Sequence, residues 1–131
     1  MKKEVICLID DDKVYQYTAT KSIEASGVVQ RVLVFDDGET AYTYLVENLS
    51  TRNNLPDIIF LDINMPYMDG WEFMEEFVKL KPKLSKQITI YMVSSSIQEE
   101  DIQKAKSLQE VSDYIIKPID TEMFAKVLGN S

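Results

Sequence analysis

The sequence predicts an α/β fold, a doubly wound three-layer (βα)5 sandwich around a five-stranded parallel sheet, for which the common order 2-1-3-4-5 is expected. Three observations predict it. Short apolar runs recur at regular intervals, at residues 5–9, 32–35, 58–61, 88–93 and 114–116. None of them alternates cleanly with polar residues, the pattern of strands buried on both faces. The intervals between them are long enough for the crossovers that parallel strands require, which are right-handed.

The first strand is VICLI, the second VLVF, the third IIFL, the fourth ITIYMV and the fifth YII. Helical evidence in the intervals is uneven. Phe73, Met74, Phe77 and Leu80 form a clear stripe in the third interval. Ile119, Met123, Phe124, Val127 and Leu128 form another at the C-terminus, with Asp120 as its predicted N-cap. Ala41, Leu45 and Leu49 mark the second helix. Ser96-Ile97-Gln98-Glu99 has capping-box spacing and predicts the start of the fourth, with Ile102, Ala105 and Leu108 facing inward. The first interval, residues 13–26, has the weakest stripe: Tyr15, Thr18, Ala19, Ser22 and Ile23. It reads as a helix because its neighbours need a crossover there. Gly27, Gly38 and Gly70 punctuate the intervals, and residues 48–56 read as a polar surface loop. The lysines at 79, 81, 83 and 86 read as the cationic end of the third helix.

Composition narrows the function. A chain of 131 residues is expected to be one domain, residues 1–131, since domains commonly hold about 100–150. Its charge is 14 − 22 = −8, which disfavours binding to nucleic acid through phosphate neutralisation. It has no histidine, which excludes Ser-His-Asp triads, His-ligated zinc and phosphohistidine on this chain. The single cysteine, Cys7, lies in an apolar run and reads as a small buried hydrophobe. No stretch resembles a signal peptide or a membrane span, so a cytoplasmic protein without membrane insertion is expected.

Ligands of doubly wound sheets bind outside the carboxyl ends of the strands. There the sequence places Asp10-Asp11-Asp12 after the first strand, Asp62 after the third, Ser94-Ser95-Ser96 after the fourth and Lys117-Pro118 after the fifth. Asp36 and Asp37 follow the second strand, at the sheet edge and away from the crevice. Three crowded carboxylates repel one another unless a cation sits among them. All the available ligands are oxygens, which favours Mg2+ over zinc or copper. Lys117 and the Ser94 hydroxyl would then engage phosphoryl oxygens. Asp62 stands alone and is the candidate nucleophile, because an aspartate oxygen can attack phosphorus.

The segments CLIDDD, IIFLDINMPYMDGWEF, MVSSS and DYIIKPI, in this order, resemble the receiver domain of two-component response regulators (CheY-like, flavodoxin-like fold) from about Glu4 to Leu128. The resemblance implies that Asp62 is the phosphoacceptor. It implies that Asp11 binds the magnesium ion directly, that Asp10 holds a metal-bound water, and that Asn64 lends its backbone carbonyl. Ser94 matches the switch Ser/Thr, Lys117 the site lysine, and Tyr114 the aromatic switch position, expected to turn inward when the Ser94 segment moves. Pro118 follows the lysine as in the family, where that bond is usually cis. The sequence departs from the pattern by adding Asp12, a candidate cap of the first helix, by carrying Ser95 where a smaller residue is usual, and by its longer loop before the third strand.

The expected function is a phosphorylation-controlled switch. The phosphoryl group would come from a sensor histidine kinase or a histidine phosphotransfer protein. The output would be contact with a downstream protein target or onward phosphotransfer, the chain acting as a monomer or as a phosphorylation-dependent dimer. Asn64 and Ser96 flank the site and are expected to set the rate of phosphate loss. With the chain ending after the fifth helix, no output domain is expected. Two rivals share the chemistry or the fold: an aspartyl-phosphate phosphatase or phosphotransferase, and a phosphate-independent docking module.

Overall fold

The computed structural model describes residues 4–27 and 29–129. The elements follow the expected alternation. They are β1 (Glu4–Ile9), α1 (Lys13–Ala25), β2 (Val29–Phe35), α2 (Gly38–Glu47), β3 (Ile58–Asp62), α3 (Gly70–Leu80), β4 (Thr89–Ser94), α4 (Glu99–Ser107), β5 (Val111–Ile116) and α5 (Thr121–Gly129). The sheet is parallel throughout, in the order β2-β1-β3-β4-β5.

Strand alternation explains why the apolar runs are unbroken. Cys7, Ile9, Ile59, Leu61, Ile90 and Met92 face one core, shared with Ala41 and Leu45 of α2, Phe73 and Phe77 of α3, and Ala105 of α4. Ile6, Leu8, Ile58, Phe60 and Val93 face the other, shared with Ala19 and Ile23 of α1 and with Phe124 and Leu128 of α5. Residues of the inner strands therefore have a helix to bury against, whichever way they point. Phe60 anchors the second core, edge-on to Phe124 with ring centroids 5.3 Å apart.

The helix starts are set by carboxylates. Asp12, Asp37, Asp69 and Asp120 each accept backbone N–H bonds from the first turn of the helix that follows. Asp69 and Glu72 complete a reciprocal capping box. The fourth helix departs from expectation. It begins at Glu99, with Gln98 at the N-cap making no side-chain bond. The Ser96 hydroxyl instead accepts from Gln98 N–H at 3.2 Å and donates to Asp101 at 2.7 Å. Leu49 and Ile119 lie outside the helices they were read into, and Met123 points outward.

Residues 48–56 are less loose than a polar loop implies. A 3-10 turn at Arg52–Asn54 holds Leu55 fully buried. Tyr44 and Arg31 donate to the carbonyls of Asn54 and Asn53, and Arg52 donates to that of Ser85. The lysine cluster is likewise divided. Lys79 pairs with Glu76 on α3, whereas Lys86 is buried against Asp57 at 3.2 Å and donates to the Leu55 carbonyl. It ties the loop to the amino end of the sheet rather than completing a helix.

Candidate functional site

Strand parity builds the site. Asp10 and Asp62 continue the even-numbered faces of β1 and β3, the faces that carry Ile6, Leu8, Ile58 and Phe60 toward α1 and α5. Lys117 continues the face of Ile115, in the same core. Three charged groups from distant parts of the chain thus converge on one side of the sheet, at its carboxyl end. The Lys117 ammonium lies 2.6 Å from Asp10 Oδ2 and 3.7 Å from Asp62 Oδ1. The Lys117–Pro118 peptide bond is cis.

Asp10 and Asp62 are buried, while Asp11 is exposed. Carboxylate oxygens of all three lie within 4.8 Å of one another. Three acids against one ammonium leave a net charge of −2, which one divalent cation cancels. The donor set is all oxygen and therefore hard. The cluster would therefore suit one small, hard divalent cation, with the rest of its coordination left to water.

The electrostatics fit that reading. The Asp62 carboxyl is raised to about 6, first by burial, then by the charge of Asp10, with Asp11 adding to it. Lys117 and the backbone N–H of Asn64 pull the other way. Asp10 is fixed on every side. Its Oδ1 accepts the Asp12 N–H at 2.9 Å, its Oδ2 takes Lys117, and its carbonyl accepts Gln16 Nε2 at 2.6 Å. Gln16 also donates to Asp36, which Lys13 bridges at 2.7 Å. These contacts hold the Asp36 carboxyl below the usual range.

Two groups stand on the opposite face. Ser94 and Tyr114 continue the parity that leads into the α2–α3–α4 core. The Ser94 hydroxyl is buried and accepts the Ser96 N–H at 3.1 Å. Its own proton is donated to no described residue, so it remains available to a ligand. Tyr114 departs from expectation: its ring is buried, and its hydroxyl donates to the Ser96 carbonyl at 2.8 Å. The inward position that was expected to follow movement of the Ser94 segment is the one seen.

The β3–α3 loop sets the height of Asp62. Gly70 packs so closely that a Cβ there would stand 2.6 Å from the Asp62 carbonyl oxygen. Its N–H donates to Ile63 O at 2.8 Å. Tyr67 takes φ 67, a left-handed conformation that costs a non-glycine residue about 1 kcal/mol or more.

Sequence reasoning missed Tyr15 and Gln16. Gln16 is buried on α1 because both its partners are backbone or carboxylate oxygens of the site. The Tyr15 ring lies 4.2 Å from the Lys117 ammonium. Its phenol is pushed up, chiefly by burial and then by the charges of Asp10 and Asp62.

Residues 6–128 match the family described as the response regulator receiver domain. The chain belongs to that family. Receiver domains are phosphorylation-controlled switches of two-component systems, and this chain is one. A two-component response regulator from Cytophaga hutchinsonii superposes with a TM-score of 0.87 at 28% identity, over 99% of this chain and 97% of that one. Response regulator Rcp1 from Synechocystis is 29% identical over 128 residues, covering 96% of this chain and 85% of its own. A structure of Rcp1 in its Mn(2+)-bound form matches with a TM-score of 0.75 at 27% identity, over 96% of this chain and 90% of that one. A phosphorylated cyanobacterial phytochrome response regulator, RcpA, is similar at 30% identity and a TM-score of 0.77, over 98% of this chain and 90% of that one. Receiver domains bind divalent metal, and in this one the acidic cluster is Asp10, Asp11 and Asp62.

Proposed function

We propose that Asp62 is the phosphoacceptor and that its chemistry runs with Mg2+ held by Asp10, Asp11, Asp62 and the Asn64 backbone carbonyl. The observation that carries this is the Lys117 ammonium, shared between Asp10 at 2.6 Å and Asp62 at 3.7 Å. An Asp62 carboxylate oxygen attacks phosphorus in line while the bond from phosphorus to the donor breaks, and the leaving atom, the imidazole nitrogen of a phosphohistidine or the acetate oxygen of acetyl phosphate, keeps the electron pair. The metal supplies charge neutralisation for the phosphoryl oxygens. Lys117 takes one of those oxygens and the Ser94 hydroxyl donates to another. Recruiting Ser94 alters its bond from the Ser96 N–H, and Ser96 in turn carries Tyr114. The phosphoryl group thus biases the position of the β4–α4 segment rather than creating it.

The donor is a sensor histidine kinase or a histidine phosphotransfer protein, since the chain has no histidine of its own. The output is contact with a downstream protein or onward phosphotransfer, as a monomer or a phosphorylation-dependent dimer. We assign the protein to the cytoplasm; no described helix is long and apolar enough to cross a membrane. Residues 1–131 act as a single receiver domain that is not itself an enzyme. Position 64 supports this, because it holds an amide where phosphatases of similar chemistry often place a second acid. Asn64 and Ser96 set the lifetime of the phosphoryl group, and replacing both should change it.

The test is incubation with acetyl phosphate and magnesium, followed by intact mass and peptide mapping. One phosphoryl adduct is expected on Asp62, absent without magnesium and in Asp62→Ala. Failure to label with any donor would leave a phosphate-independent docking module.

A further inference from the structure

Tyr15 borders the pocket but has no part in the chemistry assigned above. Its backbone is fixed by the acidic segment itself, because its N–H donates to Asp12 Oδ1 at 3.1 Å. Its ring lies 4.2 Å from the Lys117 ammonium. Its hydroxyl is buried and bonded to no described group. A buried hydroxyl without a partner is a cost, so the contact made here is made by the aromatic face.

Lys117 faces two demands. It is held by Asp10, yet the reaction needs it at a phosphoryl oxygen on Asp62, the carboxylate 3.7 Å away. A divalent cation among Asp10, Asp11 and Asp62 competes for the same oxygens and repels the ammonium. The Lys117 side chain is 19% exposed, so solvent is open to it. An aromatic face attracts a cation without neutralising it and without fixing one direction of approach. It suits a cation that must change carboxylates without leaving the pocket.

We propose that Tyr15 is a positioning residue whose ring is the platform on which the Lys117 ammonium pivots from Asp10 to the phosphoryl group on Asp62. This rests on Asp62 being the phosphoacceptor. In the transfer, an Asp62 oxygen forms the new bond to phosphorus while the bond from phosphorus to the acetate oxygen breaks. Acetate leaves with that electron pair, and Lys117 keeps its protons throughout.

Tyr15→Phe keeps the platform and deletes the unpaired hydroxyl, whereas Tyr15→Leu removes the platform. Each is made alone and with Lys117→Met. The initial rate of labelling by acetyl phosphate with magnesium is read by intact mass. The chemical shift of the Lys117 Cε protons is read by NMR on the metal-free protein. Tyr15→Phe is expected to label within about twofold of the unsubstituted protein, and Tyr15→Leu to slow by roughly tenfold. Tyr15→Leu should add nothing once Lys117 is replaced. The Cε protons should show an upfield ring-current shift in the unsubstituted protein and in Tyr15→Phe, lost in Tyr15→Leu.

The proposal is overturned if Tyr15→Phe slows as much as Tyr15→Leu, which would make the hydroxyl the agent. It is also overturned if Tyr15→Leu labels at full rate, or slows equally without Lys117, or if the ring-current shift is absent. An unsubstituted protein that never labels overturns the Asp62 reading and this one together. Normal labelling with an unaffected Tyr15→Leu overturns this one alone.

Discussion

Asp62 is buried beside Asp10, and its carboxyl is raised to about 6 by that burial and by the neighbouring charge. A carboxyl whose folded pKa exceeds its unfolded value favours the folded state at low pH. That contribution is complete below about pH 4 and is lost as pH rises through about 6. The metal-free protein therefore carries a destabilising charge at neutral pH. Asp62→Asn should gain about 1–2 kcal/mol in urea unfolding near pH 7, allowing for partial solvation, and nothing near pH 4. The same titration governs the metal. Magnesium affinity, read by calorimetry, should strengthen as pH rises through about 6, because a proton competes for Asp62. A flat affinity across that range would contradict the raised carboxyl. The charged residues of the pocket were legible in the sequence because a carboxylate or ammonium directly after an apolar run needs a reason to be there. Tyr15 and Gln16 were not. Their helix is mostly polar, and a glutamine buried by two oxygens looks in sequence like one in solvent.

At the scale of elements, Gly70 connects a helix start to the reacting carboxylate. It read as turn punctuation, but its role is close approach: an added Cβ would meet the Asp62 carbonyl at 2.6 Å and the Ile63 Cα at 2.9 Å. Both are backbone atoms, so relief must come from moving the end of β3 or the start of α3. Gly70→Ala should cost about 1–3 kcal/mol, as overpacking does, and slow labelling of Asp62; an unchanged melting temperature and rate would refute the contact. At the opposite end of the sheet, Asp57 takes the Val5 N–H at 2.8 Å and Lys86 at 3.2 Å. Burial alone would raise the Asp57 carboxyl, but Val5 and Lys86, with a smaller contribution from Glu4, outweigh it and the net shift is downward. Its contribution is present above the ordinary carboxylate range and is lost as pH falls through it. Asp57→Ala leaves Lys86 with the Leu55 carbonyl but without its counter-charge and should destabilise by about 3 kcal/mol near neutral pH, with urea unfolding as the measure and Lys86→Met in the same background as a partial rescue. The start of α4 was misread for a related reason. Capping-box spacing at Ser96 is a local signal, whereas the Ser96 hydroxyl is engaged by Gln98 and Asp101 and its carbonyl by Tyr114.

Across the whole molecule, the two faces of the sheet divide the work. The carboxylates, Lys117 and Tyr15 lie on the α1–α5 side, while Ser94 and Tyr114 lead into the α2–α3–α4 side. On the proposed mechanism a signal made at the first crosses at the end of β4. Both cores were legible from the apolar runs, because parallel strands buried twice leave few alternatives, and the strand order from the common arrangement of doubly wound sheets. This division was not, because it depends on which residue of each strand end takes which parity. On the proposed mechanism the element next in line is α4, nine residues long with Ala105 as its buried residue. So short a helix with so little burial belongs to the low-stability end of the fold. It is held to α3 in part by the Lys104 ammonium, 4.5 Å from the centre of the Trp71 ring. Trp71 is the single tryptophan of the chain, so its emission reports this one junction. Adding acetyl phosphate and magnesium should change Trp71 emission at the rate at which intact mass shows Asp62 labelling. The change should be absent in Asp62→Asn and reduced in Lys104→Met, which keeps the stem and removes the cation. Full labelling with constant emission would mean that α4 does not move against α3, and the signal would then have to leave through Tyr114 and β5 without it.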